Sequence, residues 1–363
     1  MSSTLMQANR QWSSRPADER FTSLDAMLHH FRALRAASRS AVVSSRSVAA
    51  VPDADNAGLT IAGKAGVEYS PTHWSFGQLA TLAGAPAGYL RTLPSPLAAD
   101  LLNWGLHKAR DVEDVGLLLQ APEGSRTLAA ATGPNYGRVW NADVVGALVN
   151  RFGDGVTGDF KVPGEFGHDV TVTRANTTLF AGDRDMFVFL ADEKNRIELP
   201  NRRDGQTGTL ARGFFVWNSE VGSQTLGIGT FLFDYVCCNR IVWGADQYKE
   251  IRIRHTSGAP DRFIEEVAPA LERYADSSTA SSTKAIEDAR AARLDDVSAF
   301  LNSRWSRKMS AELMATHELE EGRPIETLWD VTTAATAVAR SIVNQDARVA
   351  LEREAGAIMS MAA

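Results

Sequence analysis

Residues 213–244 read GFFVWNSEVGSQTLGIGTFLFDYVCCNRIVWG, and this run limits the fold more than any other part of the chain. Phe214, Phe215, Trp217, Phe231, Phe233, Tyr235 and Trp243 fall among β-branched residues at alternating positions, which is the pattern of strands. Gly222, Gly227 and Gly229 lie within it. Their spacing resembles a phosphate loop, but no Lys-Ser/Thr follows and no helix is due next. They read instead as hairpin or bulge glycines. Asn218, Ser219, Asn239 and Arg240 interrupt the apolar pattern, so the run is more than plain core. Both cysteines, Cys237 and Cys238, are here and adjacent. Neighbouring cysteines rarely bridge each other, and alternation sends one side chain to each face. Strand packing in a reducing cytoplasm is the expectation.

The rest of the chain frames this run. Its 363 residues allow one large domain or two ordinary ones. A polar arm is expected over 1–40, with a short amphipathic helix over 24–34. An α+β core follows over 41–276, an antiparallel or mixed sheet packed with helices. A Ser/Thr/Ala link at 277–282 leads to a helical C-terminal region, 283–363. Ser75 and Gln78 have the spacing of a capping box. Helices are expected over about 96–108 and 139–152, strands over 169–178 and 185–190, and a charged loop between Asp192 and Gly213. Pro324 after Gly322 reads as a helix start. The N-terminus has no apolar core of a secretory signal, and no apolar run nears the ~20 residues of a membrane span.

No cofactor or metal site is legible. The seven histidines are scattered, without HExxH or paired CxxC motifs. Asp183-Arg184-Asp185 has the spacing of a two-carboxylate clamp, and equally that of a turn. Ser219-Glu220 lacks a nearby histidine, so a hydrolase nucleophile is unsupported. The net charge of −6 argues against coating duplex DNA by bulk charge, but leaves room for a local basic groove. Two features point to nucleic acid. Residues 76–93 carry the small-residue and glycine spacing of a helix-turn-helix, or of a plain helical hairpin. Cations also cluster around the strands: Arg202, Arg203, Arg212, Arg240, Lys249, Arg252 and Arg254. In IRIRH, residues 251–255, the arginines alternate with isoleucines, which gives one basic and one apolar face. Such tracks hold single strands, with aromatic side chains as stacking platforms.

Several stretches together resemble a phage- and plasmid-borne family known as domain of unknown function 932. They are residues 76–104, the Arg126–Tyr136–Arg138 region, DRDMFVFL, the run 213–244 and TLWDVTTAATAVARSI near the C-terminus. Asn218-Ser219-Glu220-Val221-Gly222 and Cys238-Asn239 are the most specific. Arg240 departs from the family pattern, which has a small residue there. The resemblance implies a mobile-element protein without established catalytic residues, in a genetic setting of replication and recombination. The combined expectation is an ATP-independent, non-enzymatic, cytoplasmic protein that binds and anneals single-stranded DNA as a homo-oligomer. The alternative is a protein-interaction or inhibitor module that ignores nucleic acid.

Overall fold

The computed structural model describes residues 16–53, 58–62, 66–109, 114–122, 124–164, 170–203, 206–234, 239–241, 251–341, 351 and 354–362. In chain order its strands are β1 (Arg20–Phe21), β2 (Ser38–Ser44), β3 (Ala49–Pro52), β4 (Leu59–Ala62), β5 (Glu68–Pro71), β6 (Asp114–Gln120), β7 (Thr127–Thr132), β8 (Phe160–Lys161), β9 (Leu179–Ala181), β10 (Met186–Asp192), β11 (Ile197–Arg203), β12 (Gln206–Asn218), β13 (Leu226–Asp234), β14 (Asn239–Ile241) and β15 (Ile251–Ile253). The α-helices are α1 (Leu24–Ala36), α2 (His73–Leu82), α3 (Ala87–Leu90), α4 (Ser95–Trp104), α5 (Asn141–Phe152), α6 (Ala259–Arg262), α7 (Ala268–Asp276), α8 (Ala280–Ala291), α9 (Val297–Asn302), α10 (Arg307–Glu321) and α11 (Leu328–Ser341).

Two sheets organise these elements, and the α+β class with a helical C-terminal region stands. The larger sheet runs β1-β9-β10-β12-β13-β14, with β11 also on β12, β15 also on β13 and β8 also on β10. The smaller runs β2-β6-β7-β5-β4-β3. Among the described residues the strands pair antiparallel except β5 with β7.

The glycines of the central run are neither hairpin tips nor bulges, apart from Gly222 at φ +83. In the β12–β13 register Gly213 faces Phe231, Phe215 faces Gly229 and Trp217 faces Gly227. A Cβ on Gly229 would fall 2.4 Å from the Phe215 ring, and one on Gly227 would fall 2.2 Å from the Trp217 indole. Each ring therefore lies flat across a glycine on the neighbouring strand and fills the place of its missing side chain. Phe187, Phe189, Phe215 and Trp217 stack along this face with interplanar angles of 18–28°. The opposite face carries Met186, Val188, Leu190, Phe214 and Val216 into a core shared with α1, α5 and α7.

Several sequence expectations change. Helix α1 is not part of a loose arm. Ser23 caps it by accepting the Ala26 N–H, and Leu24, Met27, Leu28 and Phe31 are buried in that same core. The charged loop expected between Asp192 and Gly213 is the β11–β12 hairpin, whose Ile197, Leu199 and Leu210 are buried. These three and Leu232 join α8, α10 and α11 in one cluster, so the C-terminal helices pack on the sheet. Residues 170–178 form turns, not a strand, held by Asn176 Oδ1 accepting from the Thr173 N–H at 2.7 Å. Cap of α2 is Thr72, not Ser75. Pro324 precedes α11 by several residues. There Thr327 and Asp330 form the capping box, each side chain taking the other's backbone N–H at 3.2 and 3.0 Å. On α4, Leu97 and Leu101 face outward, while Ala98, Ala99 and Leu102 are buried. The two cysteines lie outside the described residues.

Candidate functional site

The registers place four residues in one row across the large sheet: Phe187 pairs with Trp217, Trp217 with Gly227, and Gly227 with Arg252. Just beyond this row, at one end of the sheet, come the Asp183-Arg184-Asp185 turn, the 219–225 loop and Arg254-His255. The 133–140 segment closes over them.

The turn after β12 is anchored through nearly every polar group it has. Asn218 Nδ2 donates to the Val139 carbonyl at 2.8 Å and to Asn141 Oδ1 at 2.7 Å. Ser219 Oγ donates to the Arg184 carbonyl at 2.6 Å, and the Ser219 carbonyl accepts from Tyr136 Oη at 2.7 Å. Arg138 donates to the Glu220 carbonyl, and the Asn141 N–H donates to Glu220 Oε1 at 2.6 Å. The Val221 carbonyl accepts from Trp74 Nε1 at 3.0 Å and Gln78 Nε2 at 2.8 Å. Gln78 is thus no capping residue; its Oε1 also accepts from the Ala131 N–H, which ties α2 and β7 to the turn. Val221 itself inserts among Leu118, Ala129 and Ala130 of the small sheet, flanked by Trp74 and Trp140. This turn is the joint between the two sheets.

Around the joint lies a half-exposed aromatic and cationic stack. Tyr136 and His255 stack at 4.9 Å, and Arg138 lies over the rings of Tyr136 and Trp140 at 5.3 and 5.7 Å. His255 Nδ1 meets the Gly137 carbonyl at 3.0 Å, so this nitrogen carries the proton. Burial holds the imidazole below its ordinary pKa, with Arg138 adding to the effect, so it is neutral near pH 7. Burial also pushes Glu220 up to about 7, against the Asn141 N–H and the charges of Arg138 and Arg35. Tyr136 is raised by burial and stays a phenol.

The expected cations separate into three groups. Arg252 and Arg254 are exposed on and just after β15, while Ile253 is fully buried and Ile251 half-buried. Because Arg252 pairs with Gly227, it stands on the same face as Trp217. Arg202, Arg203 and Arg240 lie on β11 and β14, and Lys249 lies outside the described residues. Arg212 must be withdrawn. It is 4% exposed, its Nε donates to Asp192 Oδ2 at 3.0 Å, and its Nη atoms donate to the Tyr274 and Ala275 carbonyls and Ser277 Oγ. It caps the C-terminal end of α7 and cannot reach a strand of nucleic acid. The aromatic run is likewise buried, so its rings are not stacking platforms. The helix-turn-helix reading fails as well. Helix α3 is a single turn, and Arg91 beside it is pinned by donating to the His73 carbonyl over the Phe76 ring.

Among the described residues no group of three His, Cys, Asp or Glu side chains could hold a metal. Asp185 accepts from Gln224 Nε2 at 2.7 Å and Asp183 pairs with Arg184, so the triplet shapes a turn. No helix among the described residues is long and apolar enough to cross a membrane.

The model of the family described as Domain of unknown function (DUF932) matches residues 169–356, more than half of the chain. The chain belongs to this family. No curated protein and no solved structure matches it. The DUF932 match takes in the 218–222 turn and β15. Tyr136, Arg138 and Trp140, which close over the turn, precede the matched residues. Their part in the site was not legible as chemistry. The signals were the family resemblance of the Arg126–Tyr136–Arg138 region and the Tyr-x-Arg-x-Trp alternation, which places all three on one side of an extended segment.

Proposed function

We propose that this DUF932 protein binds single-stranded DNA through its sugar–phosphate backbone, without nucleotide hydrolysis, and anneals strands as a homo-oligomer of a mobile element. The observation that carries this reading is β15. Its isoleucines turn into the core while Arg252 and Arg254 turn outward at the end of the sheet where Arg138 and Arg184 also gather. Arg252 and Arg254, with Arg184 at the same end, give this rim exposed positive charge in a chain whose net charge is −6, while Arg138 is committed to the Glu220 carbonyl. With the sheet's aromatic rings buried, contacts to phosphate rather than base stacking would hold the strand, leaving bases open for pairing.

Fluorescent single- and double-stranded oligonucleotides titrated across a salt series test this. Salt-sensitive binding with preference for single strands is the expected outcome. Arg252→Ala with Arg254→Ala should flatten the log K against log salt plot by about 0.7 per phosphate contact removed. Absence of binding at low salt would sink the proposal.

One observation favours the second reading, a protein-interaction module. Leu97, Leu101 and Trp104 are 48%, 37% and 63% exposed on one face of α4, with Tyr89 at 59% nearby on α3. Apolar faces of this kind mark contact surfaces. If DNA binding fails, this face is the place to look for a host protein.

A further inference from the structure

We propose that β2 is the surface through which two copies of this chain associate, edge to edge, into one continuous antiparallel sheet. This deepens the homo-oligomer part of the reading above and rests on it, but is independent of DNA binding.

The argument begins with how each sheet edge is finished. An exposed edge strand offers unpaired N–H and C=O groups to any other strand, so proteins shorten such edges, kink them or cover them. Most edges here are treated in this way. Strand β1 has two residues. On β3 the Asn103 amide bonds both the N–H and the carbonyl of Ala50 at 2.8 Å, and Pro52 ends the strand. On β11 there is Pro200, whose carbonyl takes a bond from Arg290, and a register shift between Leu199 and Arg203.

Strand β2 has none of these devices. It is seven residues long, without proline or bulge, and among the described residues it pairs with β6 alone, in unbroken register. The Ala121 N–H donates to the Ala37 carbonyl at 2.9 Å, so the alternate residues Arg39, Ala41 and Val43 bond to β6. Ser38, Ser40 and Val42 therefore point their backbone groups outward. Ser40 is exposed, and Val42 is 60% exposed, an apolar side chain on an open edge.

A second copy fits this edge. Antiparallel self-pairing about Ala41 overlaps all seven residues of SRSAVVS and sets outward Ser40 opposite outward Val42. It puts Arg39 opposite Val43, so no like charges meet across the axis. A two-fold axis closes the contact after two copies, which uses up the edge. Ala41 would face its own copy in a non-hydrogen-bonded pair, with Cα atoms about 4.5 Å apart. That spacing suits a disulfide.

The test uses the full chain. Mass photometry and light scattering should give a dimer for the unaltered protein. Val42→Lys and Ser40→Pro, both at exposed positions, should each shift it to monomer with the unfolding transition retained. Ala41→Cys should form a covalent dimer under mild oxidation, beyond any seen for the unaltered chain with its Cys237 and Cys238. An oligomer indifferent to both variants, with no cross-link at Ala41→Cys, would overturn the β2 contact and leave oligomerisation standing. A monomer at all concentrations would overturn both. If a heterologous extended peptide saturates β2 while the chain stays monomeric, the edge serves another partner and the proposal fails. DNA binding measured on the same samples reports separately on the nucleic-acid reading.

Discussion

Strand β12 is anchored at its middle and at its end, and the two anchors work by different physics. At its midpoint Arg212 and Asp192 form an ion pair with both side chains at most 4% exposed, and the guanidinium goes on to bond the carbonyl end of α7. At its end Asn218 and Glu220 hold the 139–141 segment and Ser219 holds the Arg184 turn, through amide, hydroxyl and backbone bonds, with a carboxyl pushed toward neutrality; Val221 next to them docks on the small sheet. The first anchor is a buried ion pair; the second is mostly amide, hydroxyl and backbone dipoles, with the Arg138 guanidinium on the Glu220 carbonyl. A buried charge cannot lose its partner cheaply, whereas a neutral network can lose one bond and relax.

The contrast can be broken by mutation. Arg212→Ala should cost about 3–5 kcal/mol, because Asp192 is left buried and unpaired. Urea unfolding measures it, and a loss below about 1 kcal/mol would show that the pair is not the anchor. Asn218→Ala should cost about 1–3 kcal/mol, the penalty for an orphaned Val139 carbonyl and Asn141 amide. Glu220 sharpens the comparison through pH. Its folded pKa of about 7 lies above its ordinary 4.5, so folding favours the protonated acid. The stability it contributes is full below pH 4.5 and is lost as pH rises through 7, on the order of 3 kcal/mol in all. Glu220→Gln should flatten that slope in unfolding curves between pH 5 and 8 while leaving the Arg212 anchor unchanged. An unaltered slope would assign the pH dependence elsewhere. Smallest of all, Arg254→Ala should change stability by less than about 0.5 kcal/mol, since it is an exposed surface substitution.

The strands of the central run were legible because two-residue alternation of large apolar side chains has few other readings. The role of its glycines was not, since a glycine opposite an aromatic ring is defined only by the register of two strands. The 197–212 hairpin was missed for a related reason. Arg196, Arg202, Arg203 and Arg212 made the segment look solvated, yet Arg212 is charged and buried because Asp192, twenty residues earlier, is its β10 neighbour. The basic alternation of β15 was read directly. The Tyr136–Arg138–Glu220–His255 assembly draws on three distant segments, and no local pattern announces such a convergence.

The joint between the sheets also sets an order of events during synthesis. Trp74, Gln78, Tyr136, Arg138 and Asn141 leave the ribosome well before the turn at Asn218–Gly222 that occupies them. Until that turn arrives the small sheet carries an open polar socket, and β1 likewise waits for β9. The amino-terminal half is therefore born as a receptor for the carboxy-terminal half. A ribosome stalled before residue 218 should expose a nascent chain that a peptide spanning the turn, supplied in trans, can complete.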